Sequence, residues 1–392
     1  MPQPAAHIPA VPESGTRRIY ELALTLDDPL MLVVGEPDDA VPEHVREAAR
    51  AAWSRDDTDY APNGGIPALR RAIVEKLARE NGFEADVDQV WVTVGGTQAI
   101  AQALTIALGA GDEVLVPDPG YTTFTMYPRS IGAVPVPYPL RAEDGFVPRL
   151  PQLERLVTER TRAIIVNSPS NPLGVVFDEA TLEELVAFAA RHDLWIVSDE
   201  VYEHFTWSGP HVSVAAVAAR TGDQERVLSV FSTSKSHAMT GARVGWLVTP
   251  PGFGGTMRAL QEATIACVAT PDQHAAVAAL TGGDAHIRAA RDRYRAHIEL
   301  AAALLDARGF RYHRPEGAFY LWIDVSHASE GDVAGWAQRF LLEARVAVAP
   351  GTAFGRAGEG WIRICLAAAP EVVRTAIERL PSPRHEPAGA RE

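Results

Sequence analysis

The middle of the chain repeats one pattern, in which a short apolar run is followed by a polar loop and then by a helix-like segment. The apolar runs at 114–116, 163–166 and 194–197 are the clearest cases. Short β-branched runs that alternate with helical patterns are typical of a mostly parallel sheet covered by helices on both faces. Ligands of such sheets bind at the carboxyl ends of the strands. The alternation therefore predicts an α/β fold and also the edge of the sheet at which a site lies.

Residues able to bind ligands or to carry chemistry stand at these strand ends. Glycine lets a backbone approach a ligand closely, and the polar side chains can donate or accept hydrogen bonds. Each residue alone has an ordinary explanation as part of a turn or a cap, but their collection at one edge predicts a binding site. The residues are Gly96, Thr97, Tyr121, Asn171, Asp199, Tyr202 and Lys235.

The stretch around Lys235 is the most distinctive of these strand ends. The apolar run 227–231 ends in hydroxyl residues and Lys235, and Arg243 follows just before a second apolar run at 244–248. Hydroxyls donate single hydrogen bonds and a guanidinium grips two oxygens at once, so the stretch suits a bound phosphate. A solvated loop lysine would give a similar pattern, and this stretch alone leaves both interpretations open.

A second element that suits a phosphate follows the predicted strand 90–94. Gly95, Gly96 and Thr97 open a segment with the pattern of a helix. Unpaired N–H groups, a hydroxyl and the positive end of the helix dipole favour an anion at such a position. The alternative is a plain strand-to-helix turn with Thr97 as the cap.

Charge and cysteine content exclude several classes of protein. The chain of 392 residues has a formal net charge of −14, whereas nucleic acid or an anionic membrane would call for a basic face. Its cysteines, Cys267 and Cys365, offer neither a disulfide framework nor a metal-binding spacing. The amino terminus has no signal pattern, and no apolar run reaches membrane-spanning length. We expect a cytoplasmic protein without a metal.

The chain divides by pattern into two domains and two flanking segments. Residues 1–15 and 381–392, rich in Pro and small or charged residues, are predicted to be a disordered arm and a disordered tail. A large ligand-binding domain is predicted at 45–285. A small α+β domain is predicted from 16–44 together with 286–380, with the boundary inside a long helical pattern.

The residue types at the strand ends match the groups of one cofactor. Lys235 could hold an aldehyde as a Schiff base and then move protons. Asp199 could keep a pyridine nitrogen protonated, Asn171 and Tyr202 could donate to a ring oxygen, and Tyr121 could stack on the ring. A phosphate could be held by Gly96, Thr97, Ser232, Ser234 and Arg243. Pyridoxal phosphate has all of these groups.

Ordered motifs along the chain resemble those of the class I/II, fold-type I pyridoxal-phosphate aminotransferases, the aspartate-aminotransferase-like group. The resemblance covers about residues 18 to 380, and so many motifs in one order make it specific. The motifs lie at 35–38, 60–65, 95–99, 119–121, 167–174, 198–202, 232–245, 350–355 and 362–364.

The resemblance implies both a fold and an activity. The fold would be a large domain, with a mostly parallel seven-stranded sheet covered by helices, and a small α+β domain. The activity would be that of a PLP-dependent aminotransferase, EC 2.6.1.-, which moves an amino group from an L-amino acid to a 2-oxo acid. The assembly implied is a homodimer with shared active sites, in which Tyr60 of one subunit reaches the phosphate bound by the other.

The resemblance also implies a role for each site residue. Lys235 would form the Schiff base, Asp199 would pair with the pyridine nitrogen, and Tyr202 with Asn171 would bind the phenolic oxygen. The implied phosphate ligands are Gly96, Thr97, Ser232, Ser234 and Arg243. The implied ligands of the substrate α-carboxylate are Arg363, Asn171 and the N–H of Gly35.

The physical chemistry of Arg363 supports that role. It lies inside the apolar run 361–366, where it could instead pair with a surface acid. A buried charge without a partner is costly, so a cavity that admits a carboxylate is the better explanation.

The sequence leaves the substrate and the reaction type open. Asp27, Asp28 and Asp39 could favour a basic or guanidino side chain, or they could be exposed turn residues. The same scaffold supports PLP-dependent lyases, synthases and oxidases that act on amino acids, so a lyase is the first alternative. A cofactor-binding protein without catalysis is a further one.

Overall fold

The computed structural model of the protein describes residues 2–383. Within them, the strands are β1 (Leu30–Met31), β2 (Val90–Val94), β3 (Glu113–Asp118), β4 (Val134–Pro139), β5 (Thr161–Asn167), β6 (Trp195–Asp199), β7 (Val227–Ser232), β8 (Val244–Val248), β9 (Tyr312–His313), β10 (Tyr320–Asp324), β11 (Val346–Ala347), β12 (Ala349–Pro350) and β13 (Trp361–Cys365). The α-helices are α1 (Gly15–Ala23), α2 (Glu43–Ser54), α3 (Pro67–Lys76), α4 (Gly95–Ala107), α5 (Thr123–Ser130), α6 (Leu150–Glu154), α7 (Glu179–Arg191), α8 (Val214–Thr221), α9 (Thr233–Ser236), α10 (Gly254–Thr264), α11 (Thr270–Thr281), α12 (Ala285–Ala307), α13 (Ser326–Ser329), α14 (Val333–Ala344) and α15 (Pro370–Arg379). Strands and helices alternate from β2 to β8, as the sequence pattern predicts.

A sheet of seven strands forms the centre of the molecule, in the order β2-β8-β7-β6-β5-β3-β4. Strand β8 is antiparallel to both of its neighbours, whereas the pairs among β3 to β7 are parallel. The predicted mostly parallel, seven-stranded α/β architecture is therefore confirmed.

Strand β5 shows why the central runs are apolar along their whole length. Ile164 and Val166 pack into the core on one face of the sheet. Ala163 and Ile165 pack into a second core on the other face. Because successive side chains of a strand point to opposite faces, the middle of a strand covered by helices on both faces, here 163–166, is apolar at every position.

Strand β4 is absent from the sequence predictions because its sequence is rich in proline. Pro135, Pro137 and Pro139 alternate along it. Proline cannot donate to a strand ladder, so it is tolerated at an edge, where one side of the strand needs no partner. β4 lies at the edge of the sheet and pairs only with β3.

A smaller antiparallel sheet, β12-β13-β10-β9, is built from the last third of the chain. Strand β1 pairs in parallel with β11, which joins the segment around Leu30 to these later elements. The proposed domain limits, 16–44 with 286–380 and 45–285, stay a prediction.

The two terminal segments differ in what the structure describes. The segment expected to be a disordered arm contains a 3₁₀ turn at Ile8–Ala10, and Arg129 Nη1 donates to the carbonyl of Ala10 at 3.1 Å. That residues 1–15 form a disordered arm stays a prediction. The predicted tail, 381–392, lies outside the described residues from 384 onward. Among residues 2–383, no helix has the length and apolar character needed to cross a bilayer.

Candidate active site

A cavity of about 400 Å³ opens at the carboxyl ends of β6 and β7, where the alternating pattern predicts a site. The structure brings the predicted residues together there, although they come from distant parts of the sequence. The predicted site residues on its wall are Gly35, Gly96, Thr97, Tyr121, Asn171, Asp199, Tyr202, Ser232, Ser234, Lys235, Arg243 and Arg363.

Tyr60 is the predicted site residue that does not line this cavity. Its side chain is 91% exposed. A large aromatic side chain left in solvent is unusual in a folded chain, although single exposed aromatics do occur. The contribution of Tyr60 to the site of a second subunit stays a prediction.

Lys235 is the lysine available to an aldehyde in this cavity. It lies in the short helix α9 after β7, and its Nζ donates to the carbonyl of Gly35 at 2.6 Å. Burial lowers the pKa of Lys235 to about 8, because the apolar surroundings disfavour the charged form. The chain has two lysines, and the other, Lys76, is buried against Glu203 and Asn81 away from the cavity. A lowered pKa leaves more of the amine unprotonated, and the unprotonated amine is the form that attacks a carbonyl carbon.

Asp199 is a buried carboxylate at the end of a central strand. It ends β6, is 3% exposed, and accepts a hydrogen bond from the N–H of Val201 at 3.3 Å. No ion pair satisfies it within residues 2–383. Burial raises the pKa of Asp199 to about 7, because the charged form is poorly solvated. A protonated ring nitrogen would supply the missing charge, and the residue therefore fits that group of pyridoxal phosphate.

A third region of the cavity has the donors that a phosphate needs. Helix α4 begins at Gly95 without a side-chain cap, which leaves the first N–H groups of the helix free to bind an anion. Ser232 Oγ and Ser234 Oγ lie 2.8 Å apart nearby. The guanidinium of Arg243 closes the region, and its contacts within residues 2–383 are to carbonyl oxygens, not to carboxylates.

Gly95 shows how closely the backbone approaches Arg243. Gly95 has a φ of +70°, and a Cβ at this position would stand 2.4 Å from Arg243 Nη2. Both the backbone conformation and the lack of space require glycine here. Arg243 can therefore lie directly against the start of α4, where its charge and the helix dipole would act together on a bound anion.

Arg363 is a buried guanidinium whose donors suit a second anion. It is 3% exposed, Nη1 donates to Asn171 Oδ1 at 3.0 Å, and Nη2 donates to the carbonyl of Val33. Its Nε has no hydrogen-bond partner, and no carboxylate pairs with it among residues 2–383. The rings of Tyr320 and Phe354 flank it, with centroids 4.4 and 4.9 Å from Cζ. A substrate carboxylate would complete this set of donors.

The replacement Arg363→Gln tests this assignment. Because one charge-assisted hydrogen bond contributes about 1.5–3 kcal/mol, we expect KM for both the amino acid and the oxo acid to rise by about 10- to 100-fold. The measurement is steady-state kinetics, with cofactor content followed by absorbance as the control. An unchanged KM for both substrates would remove Arg363 from the binding site.

The sequence analysis missed Tyr320, which contacts Tyr202. The two hydroxyl oxygens lie 2.5 Å apart, and both side chains are buried in the cavity wall. Burial raises the pKa of each phenol. The segment 316–320 looks from the sequence like a turn that enters a strand, and nothing in its spacing indicates contact with Tyr202.

The acidic residues that left the substrate open do not face the cavity. Asp39 pairs with Arg293 and accepts from the hydroxyl of Tyr294 at 3.2 Å. Asp27 and Asp28 are likewise absent from the wall of the cavity. The geometry therefore gives no support to a basic substrate side chain held by these acids.

Comparison with known proteins gives a consistent result. A family model described as aminotransferase class I and II matches residues 27–380. The chain is 39% identical over 379 residues to the aspartate/prephenate aminotransferase of Thermus thermophilus, and the match covers 95% of this chain and 96% of that protein. It is 37% identical over 371 residues to the aspartate aminotransferase of Pyrococcus abyssi, with 94% of each chain covered.

A solved structure agrees with these sequence relatives. A double mutant of the aspartate aminotransferase from Thermus thermophilus superimposes with a TM-score of 0.90 at 39% identity, over 97% of this chain and 99% of that one. The similarity of the fold therefore extends over nearly the whole of both chains.

Proposed function

The chain belongs to the class I and II aminotransferases, and from that membership we propose that it transfers the amino group of an acidic L-amino acid to a 2-oxo acid with pyridoxal phosphate as its cofactor. The aminotransferase activity, EC 2.6.1.-, follows from the family and its relatives. The choice of an acidic donor is supported by the names of those relatives, which refer to aspartate and prephenate.

The side chains on the cavity wall fit this cofactor group by group. When bound, pyridoxal phosphate supplies an aldehyde that captures amines and a ring that withdraws electrons from the substrate Cα. Lys235 would hold the aldehyde, Asp199 the ring nitrogen, and Tyr202 with Asn171 the phenolic oxygen, while Tyr121 packs on the ring. The phosphate would be held by Gly96, Thr97, Ser232, Ser234 and Arg243.

The buried, unpaired carboxylate of Asp199 beside the one lysine of the cavity is the observation that carries the proposal. Without a cationic ligand group beside it, a buried carboxylate of this kind would lower the stability of the fold, because the charged form is desolvated and nothing compensates it. Lys235 is the group that takes the proton from the substrate Cα and later returns one, because its pKa near 8 leaves part of the amine unprotonated at neutral pH. Arg363, with Asn171 and the N–H of Gly35, orients the α-carboxylate during that transfer.

We also propose that two copies of the chain share their active sites. The exposed Tyr60 would then contact the phosphate bound by the partner. Light scattering of the purified protein tests this, since a monomer mass would contradict it. A cytoplasmic location stays a prediction of the sequence.

The experiment that tests the proposed reaction follows the absorbance of the cofactor. Acidic, aromatic, aliphatic and basic amino acids are added singly, without an oxo acid. We expect the acidic donors to convert the cofactor to its pyridoxamine form most efficiently and to yield their own oxo acids. Release of ammonia while the aldehyde form is restored would instead favour a lyase or an oxidase.

A further inference from the structure

Tyr320 is a side chain of the cavity wall to which the proposed reaction gives no task. It is 1% exposed and lies on β10 of the smaller sheet, whereas Tyr202 follows β6 of the central sheet. The two hydroxyl oxygens lie 2.5 Å apart, and neither hydroxyl has a second hydrogen bond among residues 2–383. One pair of phenols therefore joins the two sheets at the wall of the cavity.

The backbone on both sides of this contact fixes where the two hydroxyls meet. The N–H of Ala318 donates to the carbonyl of Phe205 at 2.8 Å. The N–H of Trp207 donates to the carbonyl of Glu316, also at 2.8 Å. Because these bonds lie within a few residues of both phenols, they restrain the two side chains relative to each other.

The proposed role of Tyr202 decides which of the two phenols is the donor. Burial raises the pKa of both phenols, so each keeps its proton at neutral pH. A phenol has one proton to donate. When Tyr202 donates to the phenolic oxygen of the cofactor, it has no proton left for Tyr320. The hydrogen bond between the phenols must then run from Tyr320 to Tyr202.

Tyr202 donates more strongly when it accepts from Tyr320. Hydrogen bonds in a chain polarise one another, so a phenol whose oxygen accepts a bond holds its own proton less tightly. The guanidinium of Arg363 lies 4.4 Å from the centroid of the Tyr320 ring, and its charge opposes the rise in the pKa of Tyr320 that burial causes. The phenol beside that charge is a better donor, and the effect passes through Tyr202 to the cavity.

Gly35 leaves the space that the hydroxyl of Tyr320 occupies. A Cβ at position 35 would stand 1.9 Å from that oxygen, so a larger residue would displace the hydroxyl from Tyr202. The carbonyl of Gly35 also accepts from Lys235 Nζ at 2.6 Å. Tyr320 therefore touches the segment that holds the lysine as well as the second phenol.

We propose that Tyr320 is a positioning residue of the reaction, whose hydroxyl donates to Tyr202 and directs the one proton of Tyr202 at the phenolic oxygen of the cofactor. This inference rests on the proposed function, in which Tyr202 binds that oxygen. Tyr320 acts through Tyr202 and takes no part in proton transfer at the substrate Cα. A stronger hydrogen bond stabilises negative charge on the phenolic oxygen, and so weakens the hold of the neighbouring Lys235 nitrogen on its proton in the cofactor-loaded protein.

A pH titration of the cofactor-loaded protein, followed by absorbance without any substrate, tests this. The absorbance changes when the nitrogen that joins Lys235 to the cofactor loses its proton. In Tyr320→Phe, we expect this nitrogen to bind its proton about 2- to 10-fold more tightly, the range for one neutral hydrogen bond. The transition then moves to higher pH. A transition at the original pH would overturn the inference.

A double-variant cycle shows whether Tyr320 acts through Tyr202. Tyr202→Phe should move the transition further in the same direction, because it removes the donor to the phenolic oxygen itself. In that background Tyr320→Phe should add nothing, since the phenol on which it acts is gone. An equal effect of Tyr320→Phe with and without the Tyr202 hydroxyl would contradict the proposed chain of donors.

Tyr294→Phe is the matched control. Tyr294 is a buried phenol of the same aromatic cluster, and its ring packs on Phe319 as the ring of Tyr320 does, with centroids 5.0 and 5.1 Å away. Its hydroxyl donates to Asp39, and it does not line the cavity. Loss of this hydroxyl should leave the titration unchanged. An equal shift in both variants would mean that packing of the cluster is responsible, and would overturn the assignment.

Kinetics separate this inference from the proposed function. Tyr320→Phe keeps the ring on Arg363, so we expect kcat to fall by about 2- to 10-fold while KM for the amino acid stays nearly the same. A raised KM with kcat unchanged would mean that the hydroxyl binds the substrate, and would contradict its action on Tyr202. If no amino acid donates its amino group, the proposed function fails. A titration that depends on Tyr320 only when Tyr202 is present would still support the inference in that case.

Discussion

Replacing Lys235 with alanine is expected to lower amino transfer by about 10⁴-fold or more, the largest effect of any single change in this chain. The side chain has two tasks, to hold the aldehyde and to move the proton at the substrate Cα. No neighbour can take over either task, because the second lysine, Lys76, is 1% exposed and bonded to Glu203 elsewhere. The measurement is the rate of oxo-acid formation from an acidic donor.

Borohydride reduction of the cofactor-loaded protein provides an independent test of the same residue. The reagent fixes the cofactor to the amine that holds it, and trypsin no longer cleaves after a modified lysine. We expect one labelled peptide, residues 227–243, which ends at Arg243. Circular dichroism of Lys235→Ala checks that the variant folds. Label on Lys76, or full activity of the alanine variant, would contradict the assignment.

Much of the site could be predicted because its residues stand at the carboxyl ends of strands. Asp199 ends β6, and Lys235 comes directly after β7. In a parallel sheet these ends meet at one edge, so residues far apart in sequence can be placed together without any knowledge of loops. The same reasoning placed Gly96 and Thr97, which follow β2.

The part of the site contributed by the smaller sheet and the amino terminus was not predictable in the same way. Tyr320 reaches Tyr202 from β10, and Arg17 reaches the cavity from α1. Their positions depend on how two separate layers pack, which local periodicity does not encode. Arg17 also stands in a short polar segment, where an arginine normally indicates a solvated surface.

Arg363 lies between these two cases. Its burial could be predicted because its neighbours in β13 are apolar. A buried arginine in turn needs a partner for its charge. The flanking rings of Tyr320 and Phe354, and the hydrogen bond to Asn171, could not, because they depend on tertiary contacts. The sequence thus indicates that an anion binds there, while the structure shows how the guanidinium is held in place.

Replacing Asp199 with asparagine is expected to lower amino transfer by about 10²- to 10³-fold, the usual loss when one oriented electrostatic partner is removed from a reacting centre. The amide has nearly the same shape and burial but carries no charge, so it cannot keep a ring nitrogen protonated. Electron withdrawal from the substrate Cα then weakens, although the cofactor stays bound through its phosphate. The measurement is the rate at which L-aspartate converts the cofactor to its pyridoxamine form in a single turnover.

Glu36→Gln is the matched control, because it makes the same chemical change in the other acid of the cavity, whose contact is with Thr240. We expect a much smaller loss from it, since Glu36 is exposed and faces no assigned group of the cofactor. A cofactor analogue methylated at the ring nitrogen carries a permanent positive charge, and it should restore much of the activity of Asp199→Asn. If the analogue gives no recovery while it binds normally, the role of Asp199 is not to protonate the ring. Its burial would then have to be explained by the packing around β6 alone.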